Sequence, residues 1–374
     1  MKLLCLYQVM FQYRVGTYEA MAKLPDVDFE LWHGNDVANT KKKNYKGEVG
    51  FRHKKLKEIL IPFKTNNGDG KMPFYPFLFF KFVRYNPDVI LTEGASNLWV
   101  ASMAFIYAKL FRKKIIWWTL GTLAGRTHKG LRALLQSWIS YIERHADAVF
   151  AYSTQAKEYL LAEGVEAKRI FVGVNVIDTS KRIKEVNSVD KTEKEDGFNV
   201  VFVGAINKTK NLEVLVDAVA ELSKEYDDIK LHIVGDGNYL ETIKKYAESY
   251  SDVNIQFHGR VTDGLGRLLS HYQVMVLPGL GGLAIVDGMA CSLPVISGPA
   301  DGTELDLIEN DENGFVTREM TKDFIVEKLR YLHDNPEKTL AMGVKSFERI
   351  TGQYSFENYL RKFEECLHFV TSKK

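Results

Sequence analysis

Three times between residues 199 and 298 the chain passes from an apolar strand-like run into a Gly-bearing loop and then into a helix-like run. The first unit is NVVFVGAINKTKNLEVLVDAVAEL (199–222) and the second IKLHIVGDGNYLETIKKYA (229–247). The third is VMVLPGLGGLAIVDGMACSLPVISG (274–298). Strands separated by helices are expected to run parallel, with right-handed crossovers, so all the strand-to-helix loops gather at one edge of a sheet. At that edge a helix N-terminus offers N–H groups and partial positive charge to a phosphate. A Gly lets a ligand come close to the backbone. This half of the chain therefore reads as built to hold a nucleotide diphosphate.

The first half repeats the alternation less regularly. Strands are expected at Lys2–Val9, Phe29–His33, Val89–Thr92, 115–121 and 147–153, with helices at 11–24, 96–114 and 131–146. An aromatic-rich helix is expected from 72 up to strand Val89–Thr92. The fold class is α/β, with two Rossmann-like doubly wound domains facing across a cleft. The first domain spans 1–178 and the second 198–354. Between them 179–197 (TSKRIKEVNSVDKTEKEDG) is charged and lacks aromatics, and reads as a linker.

Net charge is only +2, but residues 1–185 carry 29 Lys and Arg against 17 Asp and Glu, while residues 186–374 carry 21 against 31. A basic first domain fits an anionic partner, such as a membrane surface or a phosphate-bearing acceptor, and equally a solvated basic face. The stretch KKKNYKGEVGFRHKK (41–55) and the aromatic MPFYPFLFFKFVRY (72–85) raise the same pair of readings. They suit a membrane interface and also a core helix with a basic outer face. No apolar run approaches the roughly 18 residues a membrane span needs. MKLLCLYQVM is interrupted by Gln8 and reads as a first strand rather than a signal peptide. Three distant cysteines fit a reducing, cytoplasmic compartment. The lone D-x-D, Asp26–Asp28, reads as a polar turn, and no metal is expected. Nor does any nucleic-acid module appear. VGDGNY lacks the third Gly of a dinucleotide fingerprint.

The motifs VGAINKTKN, HIVGDG, IQFHGRV, MACSLPVI and ENDENGF, with PDVI and GVNVID in the first half, resemble those of GT-B glycosyltransferases. The resemblance is to the retaining family 4, covers nearly the whole chain, and is most specific in 199–316. It implies a donor sugar nucleotide in the second domain and an acceptor on the first, with the final helix (355–374) crossing back to the first domain. By this resemblance Lys210 contacts the donor diphosphate, and Gly204 lies in the loop beside it. Asp287 stands where a glutamate binds the ribose hydroxyls. Gly281, Gly282 and Leu283 match the loop whose backbone N–H groups face the phosphates or sugar. Arg260 and Val261 match the place where the base is held.

The chain also departs from the pattern. Ala205 replaces the diphosphate-binding arginine, Gly279 the first glutamate of the acidic pair, and Leu120 a histidine at the end of a first-domain strand. The Gly-rich loop after the first strand is reduced to Gly16. Arg14 is expected to reach the phosphates across the cleft in compensation. On the acceptor side Glu93 is the candidate carboxylate and His128 the candidate histidine. The implied reaction is transfer from a nucleotide-diphosphate sugar, the co-substrate, to a hydroxyl with retention of configuration. No further cofactor is needed. The acceptor is a glycan or a polyprenyl-pyrophosphate-linked sugar, as in bacterial surface polysaccharide assembly. The enzyme is then cytoplasmic, or peripheral on the inner face of the plasma membrane. A catalytically inactive GT-B partner subunit and a nucleotide-sugar epimerase of the same fold are the alternatives.

Overall fold

The computed structural model describes residues 1–37, 43–65, 68–121, 131–189, 196–250 and 252–372. The chain divides into two compact units, one of Met1–Gly173 with Leu360–Lys374, the other of Val174–Tyr359. Each is built on one all-parallel sheet, as the alternation of strands and helices requires.

In the first unit β1 (Lys2–Tyr7), β2 (Asp28–His33) and β3 (Arg52–Lys55) are followed by an antiparallel hairpin, β4 (Ile59–Thr65) and β5 (Gly68–Phe74). Then come β6 (Val89–Thr92), β7 (Lys114–Thr119), β8 (Ala148–Ala151) and β9 (Ile170–Val172). The sheet order is β3-β2-β1-β6-β7-β8-β9. β1 is buried on both faces, as a central parallel strand must be. Helix α1 (Val15–Ala22) connects β1 to β2. Helices α2 (Leu78–Tyr85), α3 (Leu98–Leu110), α4 (Leu131–His145) and α5 (Thr154–Ala162) carry the chain through the connections from β5 to β9. These last four pack on Leu4, Leu6, Ile90, Trp117 and Val149 in one continuous core.

The second unit opens with α6 (Ser180–Asn187) and alternates from there: β10 (Phe198–Val203), α7 (Leu212–Leu222), β11 (Ile229–Val234), α8 (Leu240–Ala247), β12 (Asn254–Gly259) and α9 (Leu265–Leu269). It continues with β13 (Val274–Leu277), α10 (Leu283–Ala290), β14 (Val295–Ser297), α11 (Glu304–Leu307) and β15 (Gly314–Val316). Helices α12 (Lys322–Asp334) and α13 (Pro336–Thr351) follow. The order β12-β11-β10-β13-β14-β15 reverses between β10 and β13. His232 of the HIVGDG motif is fully buried, its ring nitrogens 2.9 Å from Asn199 Oδ1 and 3.0 Å from His258 Nε2. Burial pushes its imidazole down to about 4, so it is a neutral core group rather than a ligand.

Three expectations are corrected. Strands β3 to β5 lie where no element was expected, and the aromatic helix starts at Leu78 rather than 72. The presumed linker contains α6, which belongs to the second unit. The last helix, α14 (Phe356–Ser372), sets Phe363 against Phe150 and Phe369 against Phe171 of the first unit, with ring centroids 5.4 and 5.3 Å apart.

One buried carboxyl makes the first unit sensitive to pH. Glu143 of α4 is 1% exposed. Its Oε1 accepts from Trp117 Nε1 at 3.2 Å, and its Oε2 has no hydrogen-bond partner among the described residues. Burial pushes the carboxyl from 4.5 up to about 7, against the pull of the indole N–H. With the folded value raised, the stability this group contributes is full below about pH 4.5 and is lost as pH rises through about 7. Glu143→Gln is therefore expected to melt progressively higher, relative to wild type, as pH rises from about 5 to 8, with a gap growing to about 3 kcal/mol at most. Thermal melts across that range check it, and a pH-independent gap would contradict the assignment.

Candidate active site

In open parallel sheets ligands bind beyond the carboxyl ends of the strands, where the strand order reverses. In the second unit that point lies between β10 and β13. The loop after β10 carries Gly204, Ala205 and Lys210; the loop after β13 is PGLGG, ending at the N-terminus of α10. The two loops touch along their main chains. Leu280 N donates to Thr209 O at 3.2 Å. A Cβ at Gly279 would collide with Thr209 O and lie 2.8 Å from Lys210 Cα. A Cβ at Gly281 would lie 3.2 Å from Lys210 Nζ, so the ammonium group rests against the Gly loop. The structure thus brings Lys210, Gly281, Gly282 and the first turn of α10 at Leu283 to one place.

The loop after β11 joins them. Gly204 N donates to Val234 O at 2.9 Å and Ile206 N to Asp236 O at 3.0 Å. A side chain at Gly235 would strike Gly204 O, and one at Gly237 would strike Ile206 O. Gly235 N donates in turn to Gly259 O at 2.8 Å, which ties in the end of β12. Arg260 and Val261 follow that Gly, the first exposed and the second half-buried.

Asp287 is already engaged by a side chain of α6. It lies in the second turn of α10, where its Oδ1 accepts from Arg182 Nε of α6 at 2.7 Å. Arg182 Nη1 also donates to Glu185 Oε2 at 3.2 Å, and Glu185 accepts the N–H groups of Gly264 and Gly266 at 3.2 and 2.7 Å. Any ligand hydroxyl at Asp287 must share that carboxylate with Arg182. The sequence reading missed both α6 residues, because they sit in a stretch whose charge disguised a packed helix. It also missed Asp301, in the loop after β14. Its carboxylate would lie 2.6 Å from a Cβ on Gly282, and it accepts from Thr303 Oγ1 at 2.5 Å. Asp301 is the acidic side chain beside the Gly loop, where the family pattern would have placed a glutamate at 279.

In the first unit the strand order reverses between β1 and β6. Glu93 lies there, half-buried, with its Oε2 accepting from Gln8 N at 2.6 Å. Arg14 departs from its expected role. It is 1% exposed, and its guanidinium lies over Trp118 at 4.6 Å and Tyr152 at 5.2 Å. Held among aromatic rings, it is not an extended arm for a phosphate. Gly16 sits in the first turn of α1 with open space around its missing Cβ, so nothing steric requires a glycine there. His128 lies outside the described residues. Among the described residues no group of three or more His, Cys, Asp or Glu is assembled as a metal site.

Comparison with known proteins completes the picture. "Glycosyltransferase Family 4" matches residues 42–181, and "Glycosyl transferases group 1" matches residues 183–349. The chain is a GT-B glycosyltransferase resembling family 4. It is 26% identical over 319 residues to an uncharacterised glycosyltransferase of Methanocaldococcus jannaschii, covering 78% of each chain. It is also 26% identical over 183 residues to a GDP-mannose-dependent phosphatidylinositol monomannoside mannosyltransferase of Mycobacterium tuberculosis, covering 45% of this chain and 46% of that protein. The match to a Haemophilus influenzae glycosyltransferase likewise spans about half of its length, 51%. Among solved structures, Anabaena HepE in complex with UDP and glucose superposes with a TM-score of 0.72 at 15% identity, covering 98% of this chain and 99% of that one. A Rickettsia africae glycosyltransferase gives 0.75 at 15%, covering 100% and 99%.

The two glycines of contrasting surroundings offer a test. Gly279→Ala is expected to destabilise the enzyme by roughly 1–3 kcal/mol, the usual cost of overpacking. Gly16→Ala is expected to leave the melting point unchanged or raise it slightly. Equal melting behaviour of the two variants would refute the packing of the loop after β13 on Lys210.

Proposed function

We propose that this enzyme is a retaining hexosyltransferase that grips the diphosphate of a nucleotide sugar with Lys210 and with backbone N–H groups of Gly281, Gly282 and Leu283. The observation that carries the reading is the Lys210 ammonium resting against Gly281 at the head of α10. As the bond from the sugar to the leaving phosphate breaks, negative charge grows on the nucleotide diphosphate. A fixed ammonium, a helix N-terminus and loop N–H groups stabilise that charge more than they stabilise the bound donor. In same-face transfer the departing phosphate oxygen takes the acceptor hydroxyl's proton, so the protein supplies no general base. Asp301 would face the sugar end of the donor, and Asp287, shared with Arg182, the ribose. Arg260 and Val261 would border the base. Neither a metal nor a further cofactor takes part.

On the acceptor side Glu93, at the strand-order reversal of its unit, would accept a hydrogen bond from a sugar hydroxyl. A lipid-linked acceptor agrees with the basic first half of the chain and with the phosphatidylinositol mannoside acceptor named for the mycobacterial relative. The proposed setting is bacterial surface polysaccharide or glycolipid assembly at the inner face of the plasma membrane. Gly279 favours one competing reading, an inactive partner subunit, since no acidic side chain fits at that position.

The two readings part in a donor screen by mass spectrometry, with lipid-pyrophosphate and soluble sugars as acceptors. Transfer from at least one nucleotide sugar is expected, and Lys210→Ala should cut it about 100-fold, the order of one lost transition-state contact. An absence of binding to any nucleoside diphosphate in titration calorimetry would leave the partner-subunit reading. Unchanged turnover in Lys210→Ala would remove Lys210 from the site.

A further inference from the structure

The outer side of the α2–α3 layer of the first unit is apolar where a water-facing helix surface should be polar. On α2 the buried stripe is Leu78 and Phe82, and the opposite stripe is Phe77, Phe80 and Val83, exposed by 73, 69 and 42%. Phe79 packs on Tyr107 and Phe111 with ring centroids 5.9 and 6.0 Å apart, which joins this stripe to the C-terminal end of α3. There Ile106, Leu110 and Phe111 are exposed by 40, 68 and 45%. Single exposed apolar residues need no explanation, but a continuous patch does.

Phe77 adds a second, independent sign. It occupies the N-cap position of α2 with φ of +62°, left-handed backbone that is costly for a bulky side chain. Its side chain makes no capping hydrogen bond. Neither burial nor capping repays that conformation within the chain; what the conformation does is present the ring outward.

The rim of the patch is basic. Helices α2 and α3 together contain Lys81, Arg84 and Lys109 and no acidic residue. Lys54 of β3 stands over the Trp32 ring, which itself stacks on Phe82 of α2. Lys54 and Lys57 are close enough to Lys81 to reinforce the lowering that burial imposes on its ammonium group. The acidic groups at this edge are engaged: Glu30 accepts from Trp32 Nε1 at 2.6 Å, and Asp88 pairs with Lys113 at 3.6 Å. Aromatic and aliphatic side chains ringed by Lys and Arg match the two layers of an anionic bilayer surface, acyl carbon below and phosphate above. A second copy of the chain would set like charges against each other around the same contact.

We propose that the Phe77–Phe80–Val83 face of α2, with the end of α3, is the surface by which this enzyme seats on anionic lipid. This deepens the functional reading and rests on it for the lipid character of the acceptor. The test is flotation of the whole protein with vesicles of phosphatidylcholine containing phosphatidylglycerol, against vesicles of phosphatidylcholine alone. Binding is expected to the first, weakening as salt rises. The double variant Phe77→Ser/Phe80→Ser should bind at least about ten-fold more weakly, from lost apolar insertion, while its melting point and its transfer to a soluble sugar acceptor stay at wild-type level. The charge variant Lys81→Glu/Arg84→Glu should lose the preference for phosphatidylglycerol. Wild-type protein that stays with the soluble fraction, or a double variant that floats like wild type, overturns the proposal. So does a wild-type dimer in light scattering that the double variant converts to monomer. Those outcomes with soluble transfer intact count against the lipid surface alone, whereas loss of all transfer by wild-type protein counts against the functional reading.

Discussion

Main-chain atoms packed against main-chain atoms hold the candidate site together. In the second unit the loops after β10, β11 and β13 approach so closely that Gly235, Gly237 and Gly279 have no room for a side chain. That contact follows from topology. A parallel sheet whose order reverses between β10 and β13 delivers these loops to one edge, and close packing then demands glycine at the crossing points. Lys210 and the head of α10 take their positions from that framework.

The charged groups around it do two different jobs. Lys210 sits at the loops themselves, where a developing anion would feel it most. Arg182, Glu185 and Asp287 form a chain of ion pairs and hydrogen bonds that fastens α6 to α9 and α10. Removing one member of such a network leaves the others poorly compensated, so its cost exceeds that of a surface pair. In the first unit the buried Arg14 guanidinium lies over the ring faces of Trp118 and Tyr152.

Much of this was legible in the residues, and the misses have physical causes. The strand–Gly–helix units of 199–298 announce their parallel sheet because buried parallel strands are apolar throughout and the loops carry glycine. Strand β3 is RHKK with all four residues exposed, an edge strand that shows neither alternation nor apolarity. The hairpin at 59–74 contains Pro62, Gly68 and Gly70, which read as breakers. Helix α6 hides in a charged stretch because only Ile183 and Val186 mark its apolar side; its remaining anchor, Glu185, packs by hydrogen bonding to backbone N–H groups. Asp301 is invisible from the chain alone, since its neighbourhood with Gly282 joins two loops through strand pairing. Arg14 read as a residue reaching for the phosphates because nothing local reveals that Trp118 and Tyr152, more than a hundred residues on, lie against it.

The glycine crossings carry a consequence for how such a protein can change. A backbone amide cannot be mutated away, and its donor strength does not vary with pH. Once the path of the loops is set by steric exclusion, position 205 can carry Ala205 without disturbing that path, whereas Gly279 is itself one of the crossing points. What such a chain cannot tolerate is bulk. Its vulnerability lies in the smallest residues it has, and its freedom in the largest.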